Sequence, residues 1–226
     1  MTRIVKPPDE RRSELVDIAQ NLFYSQGYSQ TAIKDIVQAA SVAQGTFYYY
    51  FDSKKSILEA IVDKNVKLTQ EMLHEIVTNE TLTALQKWQQ VVQASGNWKV
   101  SRKEEMLEIY RIIMRDENVL IQHKMQKKTS QMTAKELAYI ITEGVEEGIF
   151  ATTLIPATAE IVVAILDSFS RALGELLLEP EKYNDPITLA EEKGMAVQRA
   201  IEQILGAAPG SLPIIDEEIL TAWFAE

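Results

Sequence analysis

The sequence predicts an all-α protein, and three observations support this fold class. Apolar residues recur at the three- and four-residue spacings of amphipathic helices along most of the chain's 226 residues. Glycine and proline are scarce, with 9 and 7 residues, which disfavours an architecture that depends on many β-turns. The hydrophobic content of 46% suffices for a substantial core, and the length allows one large domain or two modest ones.

The composition argues against several classes of site. The chain contains no cysteine, so a thiolate nucleophile and a zinc–thiolate site are excluded. Its two histidines, His74 and His123, are isolated, and no HExxH, nucleophilic-serine or glycine-rich phosphate motif is present. We therefore expect no catalytic residues, no metal site and no cofactor. No apolar run reaches the ~18 residues of a membrane span, and the N-terminus does not resemble a signal peptide, so we expect a cytoplasmic protein.

The net charge of −10 is distributed unevenly. Residues 1–65 contain eight Lys or Arg and eight Asp or Glu, so this part is neutral and all of the net negative charge lies beyond it. A neutral segment can still bind phosphates when its few cations face in one direction. The charge therefore permits a nucleic-acid partner for the N-terminal part without predicting one.

The N-terminal part predicts four helices after a flexible arm at residues 1–8. The first begins at Asp9 and ends at Gly27, where a left-handed C-terminal cap is expected. The second and third are joined by only a few residues, the layout of a helix-turn-helix. On periodicity alone, an ordinary helical bundle explains the pattern equally well. The second helix is expected to begin after an N-cap at Thr31. The third is expected from about residue 43 to 50, and the fourth from Ser53 to about Val77.

Five further helices are predicted in the C-terminal part, and a short amphipathic turn is expected within residues 216–224. The helix at 157–178 is apolar on nearly all sides, so it must be buried from several directions. Gly96 and Asn97 are expected to stop the first of the five. The predicted ranges are 82–95, 102–115, 119–147, 157–178 and 187–205.

The segment TAIKDIVQAASVAQGTFYYYFDSKK, residues 31–55, resembles the DNA-binding segment of the TetR family. Two positions depart from the family's pattern. Val37 stands where the family usually has Ala, and Ser41 stands where it usually has Gly, in a turn conformation that is costlier for serine. The similarity covers about residues 10–60. The positions that match the family's pattern are Thr31, Ile36, Val42, Gly45, Thr46, Phe47, Tyr48, Phe51 and Lys54.

The resemblance implies two domains. A three-helix helix-turn-helix domain is expected at residues 1–55, and a helical ligand-binding and dimerisation domain at 56–226, with the fourth helix linking them. Dimerisation is expected through helices 157–178 and 187–205, which pair across a two-fold axis in the family. Burial of these helices inside one subunit is the alternative.

A recognition helix must present short or flat side chains to base edges while its other face packs inward. Phe47 and Phe51 are four residues apart and are expected to face the core. Gln44 can pair with adenine, and Gly45 indicates either a close approach to DNA or a local kink. The tyrosines can bind phosphates or pack inside the protein. In the family, the lysine that corresponds to Lys54 binds phosphate, and a solvated lysine is the alternative here. The predicted DNA contacts are Thr31, Lys34, Ala43, Gln44, Gly45, Thr46, Tyr48, Tyr49, Tyr50 and Lys54.

A pocket for a small, largely apolar effector is expected in the C-terminal domain, because Met and aromatic side chains suit an adaptable apolar site. The alternative is that these residues simply belong to the core. The candidate lining residues are Trp88, Trp98, Met106, Tyr110, Met114, Tyr139 and Phe169.

Together these observations predict a TetR-like one-component transcriptional regulator. We expect a repressor that binds palindromic operator DNA as a homodimer and is released by a small hydrophobic effector. The alternative is a DNA-binding regulator that is controlled by a protein partner or has no small-molecule ligand. Neither reading involves a membrane or a cofactor.

Overall fold

The computed structural model describes residues 6–114 and 119–225 of the chain. Within these ranges the ordered elements are helices joined by turns, and no strand occurs. This confirms the predicted all-α fold class. The chain divides into two compact units, Met1–Lys67 and Leu68–Glu226, and the boundary falls within the fourth helix.

The first unit is built on the inner face of its N-terminal helix. Leu15, Ala19 and Phe23 recur every fourth residue and are almost completely buried, as the spacing of one helix face requires. Gly27 ends this helix with a φ of 86°, and the ring of Tyr28 packs edge-on against Phe23 at 4.9 Å between ring centroids. The helices are α1 (Pro8–Gln26), α2 (Ile33–Ala39), α3 (Gln44–Tyr50) and the first part of α4 (Lys54–Val77).

The second unit packs the end of α4 with the remaining helices around an aliphatic core. Ile141, Val162 and Ile201, from three different helices, are fully buried in this core. A 3₁₀ turn at Pro180–Lys182 lies between the helices Ile155–Leu178 and Pro186–Leu205. The helices of this unit are α5 (Ala84–Val100), α6 (Lys103–Ile113), α7 (Val119–Glu146), α8 (Ile155–Leu178), α9 (Pro186–Leu205) and α10 (Glu217–Phe224).

The predicted stop at Gly96 and Asn97 is wrong, because α5 continues through both residues to Val100. A Cβ atom on Gly96 would lie 2.5 Å from Cδ1 of Ile219 on α10. The glycine therefore permits a close approach between two helices and does not mark a helix end. Such a contact joins residues far apart in sequence, so the local pattern could not reveal it.

The segment between α9 and α10 is anchored by a buried carboxylate. Glu202 accepts hydrogen bonds from the side chain of Gln198 at 2.9 Å and from the backbone N–H of Leu212 at 3.1 Å. Burial by itself raises the pKa of Glu202, but these hydrogen bonds, together with those from the backbone N–H groups of Gly210 and Ser211, outweigh it and hold the pKa below its ordinary value. The carboxylate is therefore ionised and fixes the turn that begins at Gly206, whose φ is 66°.

Candidate functional site

The turn between α2 and α3 has the hydrogen bonds of a Schellman motif. The N–H of Ser41 donates to the carbonyl of Gln38 and that of Val42 to the carbonyl of Val37, both at 3.0 Å. Ser41 occupies the left-handed position, with a φ of 52°. This is a conformation that costs a non-glycine residue roughly 1–2 kcal/mol. The turn sets the direction in which α3 leaves α2.

One face of α3 packs inward and the other is open to solvent. Phe47 and Phe51 are buried, with ring centroids 5.8 Å apart. Tyr48 and Tyr49 are 48% and 76% exposed. The remaining predicted contacts on this helix divide between the exposed residues Ala43, Gln44 and Gly45 and the half-buried residues Thr46 and Tyr50. Except for Tyr50 and Thr46, the side chains predicted to contact DNA from α3 are thus freely accessible.

Gly45 lies on the open face of α3. A Cβ atom at this position would have no neighbour within 4 Å among the residues that the structure describes. The backbone remains helical from Gln44 to Tyr50, so the glycine does not terminate or interrupt α3. Packing within the chain therefore does not explain why a poor helix former is found here.

Thr31 does not cap α2, contrary to the expectation from its sequence position. The N-cap is Ala32, whose N–H donates to the carboxylate of Asp35 at 2.7 Å. The hydroxyl of Thr31 instead donates to the carbonyls of Gly27 and Leu22, at 2.9 and 3.3 Å. With 1% of its surface exposed, Thr31 connects α2 to the end of α1 and its side chain is not available to DNA in this conformation.

Lys54 has structural partners within the first unit. Its Nζ donates to the carbonyl of Tyr28 at 2.7 Å and to that of Thr31 at 2.9 Å. The same Nζ lies 4.2 Å from the centroid of the Tyr28 ring. The ammonium therefore holds the α1–α2 connection against the start of α4, a role that the sequence pattern did not reveal.

Two exposed cations lie on the helices that pack with α3. Lys34 is exposed on α2, as a phosphate contact requires. Arg12, which the sequence analysis did not select, is exposed on α1 with its guanidinium 5.0 Å from the centroid of the Phe51 ring. Because Arg12 and Phe51 meet only through tertiary packing, no local sequence signal identifies this pair.

The second unit contains a cavity of about 80 Å³. Its described lining includes two polar residues, Thr133 and Glu136, both on α7. Glu136 is 4% exposed, and its Oε2 lies 3.1 Å from Nδ1 of His74. The apolar lining is formed by Leu73, Val77, Trp88, Val91, Val92, Leu137, Ile140, Leu166 and Ile214.

Of the seven side chains predicted to line an effector pocket, Trp88 lines this cavity, and its Nε1 donates to the carbonyl of Pro213 at 2.8 Å. Tyr110 packs against Gly174, and Phe169 lies near Gly194. Met114 accepts a hydrogen bond from Gln122, and Tyr139 is 48% exposed. Trp98 and Met106 are half-buried elsewhere in the unit. Aromatic and Met content pointed to these residues, whereas the lining of this cavity is mainly aliphatic.

Among the residues that the structure describes, no cluster of His, Cys, Asp and Glu could hold a metal ion. In the same ranges, no helix is both long and apolar enough to cross a membrane.

The N-terminal unit is similar in sequence to a family of known proteins. The profile of the family described as "Bacterial regulatory proteins, tetR family" matches residues 15–61. The transcriptional repressor KstR2 of Rhodococcus jostii is 44% identical over 52 residues, which cover 23% of this chain and 26% of the relative. The chain spans between 26% and 33% of the length of the curated relatives it matches, and these are transcriptional regulators.

Solved structures extend the similarity of fold to most of the chain. A TetR-family transcriptional regulator from Pectobacterium atrosepticum superimposes with a TM-score of 0.68 at 18% identity, covering 91% of this chain and 98% of that one. SmeT, the repressor of the Stenotrophomonas maltophilia multidrug efflux pump SmeDEF, gives a TM-score of 0.61 at 19% identity over 89% of this chain and 95% of SmeT. SmeT has also been solved in complex with triclosan. At these sequence identities the structural comparison supports the fold and nothing beyond it.

Proposed function

We propose that the chain is a member of the TetR family of bacterial regulatory proteins, whose profile matches residues 15–61, and that it is a transcriptional repressor. In this proposal it binds palindromic operator DNA as a homodimer and is released by a small, largely apolar effector. Residues 1–55 form the DNA-binding domain, and residues 56–226 bind the effector and the second subunit.

The observation that carries the proposal is the open face of α3. Gln44, Gly45 and Tyr49 are exposed there, while Phe47 and Phe51 on the opposite face pack into the core. A bare backbone at Gly45 lets α3 approach base edges closely, and the amide of Gln44 can form a bidentate pair with adenine. Tyr48 and Tyr49 can donate hydroxyl protons to phosphates, and Lys34 and Arg12 supply positive charge.

Exposed apolar residues on α8 and α9 support the homodimer. Ala157, Ile161, Ala164 and Ser168 follow the four- and three-residue steps of one helix face and are all exposed in the single chain. Met195 on α9 is also exposed. Small residues on a long helix allow a second helix to approach closely, so a second copy of the chain suits this face. Gly174, on the same helix, is buried against Tyr110 and does not contribute.

The cavity in the second unit supports control by an effector, and a relative's complex with triclosan supports a small apolar ligand. Leu73 and Val77 line the cavity and belong to α4, whose first residue is Lys54. An effector acts only by binding two conformations with different affinity. Moving the equilibrium from 1:99 to 99:1 requires roughly 5.5 kcal/mol of differential binding.

The test of DNA recognition compares two variants on duplexes selected from a randomised library. Gln44→Ala should change the selected sequence, with a discrimination loss of about 1–3 kcal/mol at the affected base pair. Lys34→Ala should weaken binding to all sequences alike and reduce the slope of log K against log salt by about one. Binding is measured by fluorescence anisotropy between 50 and 200 mM salt, the range in which such slopes are large.

The control is Gln93→Ala, an exposed glutamine on α5 in the second unit, which should leave both readouts unchanged. Lys54→Ala is less suitable, because loss of its bonds to Tyr28 and Thr31 alters the first unit itself. If the Gln44 and Lys34 variants both select and bind DNA as the parent protein does, α3 is not the recognition helix.

A further inference from the structure

The cavity in the second unit combines an apolar interior with a single carboxylate. Among its described lining residues, Glu136 is the one that carries a formal charge, and it is 4% exposed. Thr133, one helical turn before Glu136 on α7, adds a hydroxyl. Every other described lining side chain is apolar. The cavity therefore has one polar edge on α7 and an apolar body formed by the other helices.

The carboxylate of Glu136 contacts a solvent-exposed histidine. Its Oε2 is 3.1 Å from Nδ1 of His74, and the side chain of His74 is 56% exposed. A charge removed from water is costly unless it is paired and hydrogen-bonded. One exposed imidazole is a modest partner for a carboxylate with two acceptor oxygens, so Glu136 has capacity for a further donor from a ligand.

We propose that the effector is a small amine whose ammonium group binds Glu136 while a short apolar chain fills the aliphatic interior. This inference rests on the proposed function and deepens it by naming the chemical class of the ligand. An ammonium supplies donors and a positive charge at the position where the cavity offers a carboxylate. A carboxylate or phosphate ligand would place like charges together, and a neutral alcohol would donate a hydrogen bond without compensating the charge of the carboxylate.

The cavity volume limits the apolar part of the ligand. An apolar cavity of about 150 Å³ in another protein holds benzene. This cavity, at about 80 Å³, has roughly half that volume and suits a chain of about three or four carbons. Each methylene that enters should improve affinity about fourfold, and the gain should cease once the cavity is full.

The experiment titrates the full-length protein at pH 8 with three probe series, namely primary alkylamines, alkanols and alkanoates from three to eight carbons. An alkylammonium remains charged at this pH. Binding is followed by the NMR signal of the Trp88 indole N–H, which lies at the cavity and is bonded to Pro213. The indole signals of Trp98 and Trp223, which do not line the cavity, serve as internal references.

We expect amines to bind at least tenfold more tightly than alkanols of equal length, and alkanoates to bind least. Glu136→Gln keeps the shape of the side chain and should weaken amine binding about tenfold to a hundredfold, while alkanol binding stays within twofold. Glu146→Gln, an exposed glutamate on the same helix, should change neither. Val92→Phe, which fills the cavity, should abolish the response to both series.

Equal affinity for amines and alkanols, or an unchanged amine affinity in Glu136→Gln, would overturn the proposal. These titrations contain no DNA, so their outcome is independent of whether the protein binds an operator. Conversely, amine binding that follows the expected pattern without any change in DNA affinity would support the site while refuting effector-controlled release.

Discussion

Ser41 is a strained residue in the turn between α2 and α3, which sets the direction of α3. It is the non-glycine residue with a left-handed φ among those that the structure describes, and its N–H is committed to the Schellman turn. The sequence analysis expected the turn to cost serine more than the glycine of the family pattern, and the φ of 52° agrees with that reasoning. The strain is local, because Ser41 is exposed and can lose its side chain without leaving a cavity.

Ser41→Gly should therefore stabilise the first unit by about 1 kcal/mol, since relief of the left-handed strain exceeds the entropy that glycine loses on folding. The measurement is native-state hydrogen exchange at the amide of Phe51, which is bonded to the carbonyl of Phe47. Ser41→Ala keeps the strain and removes the hydroxyl, so it should give no gain. A larger opening free energy in the alanine variant than in the glycine variant would refute the explanation.

Individual residues also define what the sequence could and could not predict. Phe47 and Phe51 were assigned to the core from spacing alone, and both are buried, because helical periodicity is a local property. The partners of Thr31 and Lys54 were missed, because their hydrogen bonds depend on how α1, α2 and α4 meet. Glu136 was missed since nothing in the local pattern of α7 shows that it borders a cavity.

At the scale of elements, helix ends were predicted well where the terminating residue acts locally. The predicted ends at residues 147 and 205 lie within one residue of the ends of α7 and α9, and Gly148 and Gly206 follow these helices with φ of 73° and 66°. Gly96 was misread because its reason lies in the contact with Ile219 on α10. Glycine thus has two roles here, and sequence alone distinguishes them only when the helical pattern also stops.

The end of α7 shows a second close contact of this kind. The carbonyl of Gly144 accepts hydrogen bonds from the N–H groups of Ile149 and Phe150, at 2.8 and 2.9 Å. The chain therefore folds back so that the buried ring of Phe150 lies over Gly144, where a Cβ atom would be 2.2 Å from Cδ2 of the ring. The missing side chain at position 144 makes room for this reversal.

Gly144→Ala should destabilise the second unit by about 1–3 kcal/mol, because the cost of overpacking exceeds the ~1 kcal/mol gain in helix propensity. Urea unfolding followed by tryptophan fluorescence reports on this unit, since all three tryptophans lie within it. The matched control is Gly174→Ala on α8 in the same unit, where a Cβ would lie 3.5 Å from the Tyr110 ring, an ordinary contact distance, so stability should stay equal or rise. A stable Gly144→Ala protein would mean that Phe150 can move aside at little cost.

For the whole molecule, the charge distribution and the apolar face of α8 suggest a division of tasks. The neutral residues 1–65 can approach a polyanion, whereas the remainder carries the entire net charge of −10 and is repelled by it. The exposed stripe on α8 then remains available to a second copy of the chain.

Ala164→Glu should dissociate the proposed homodimer, because it places a charge in the middle of an apolar interface. Operator affinity should fall by several orders of magnitude, since one subunit can occupy only one of two half-sites. Sedimentation velocity at micromolar concentration gives the mass, and Ala208→Glu, at an exposed position outside both helices, controls for the added charge. A parent protein that sediments as a monomer would refute the dimer.

The empty space beside Gly45 has a consequence for how this protein can diversify. Because no atom of the described residues lies within 4 Å of a Cβ at position 45, a substitution there has little effect on packing and acts mainly on what α3 binds. In the proposed function, a substitution at position 45 changes operator preference without changing the amount of folded protein, two properties that most mutations alter together. The proposed regulator can therefore acquire new targets through position 45 and the exposed position 44 without compensating mutations in the core.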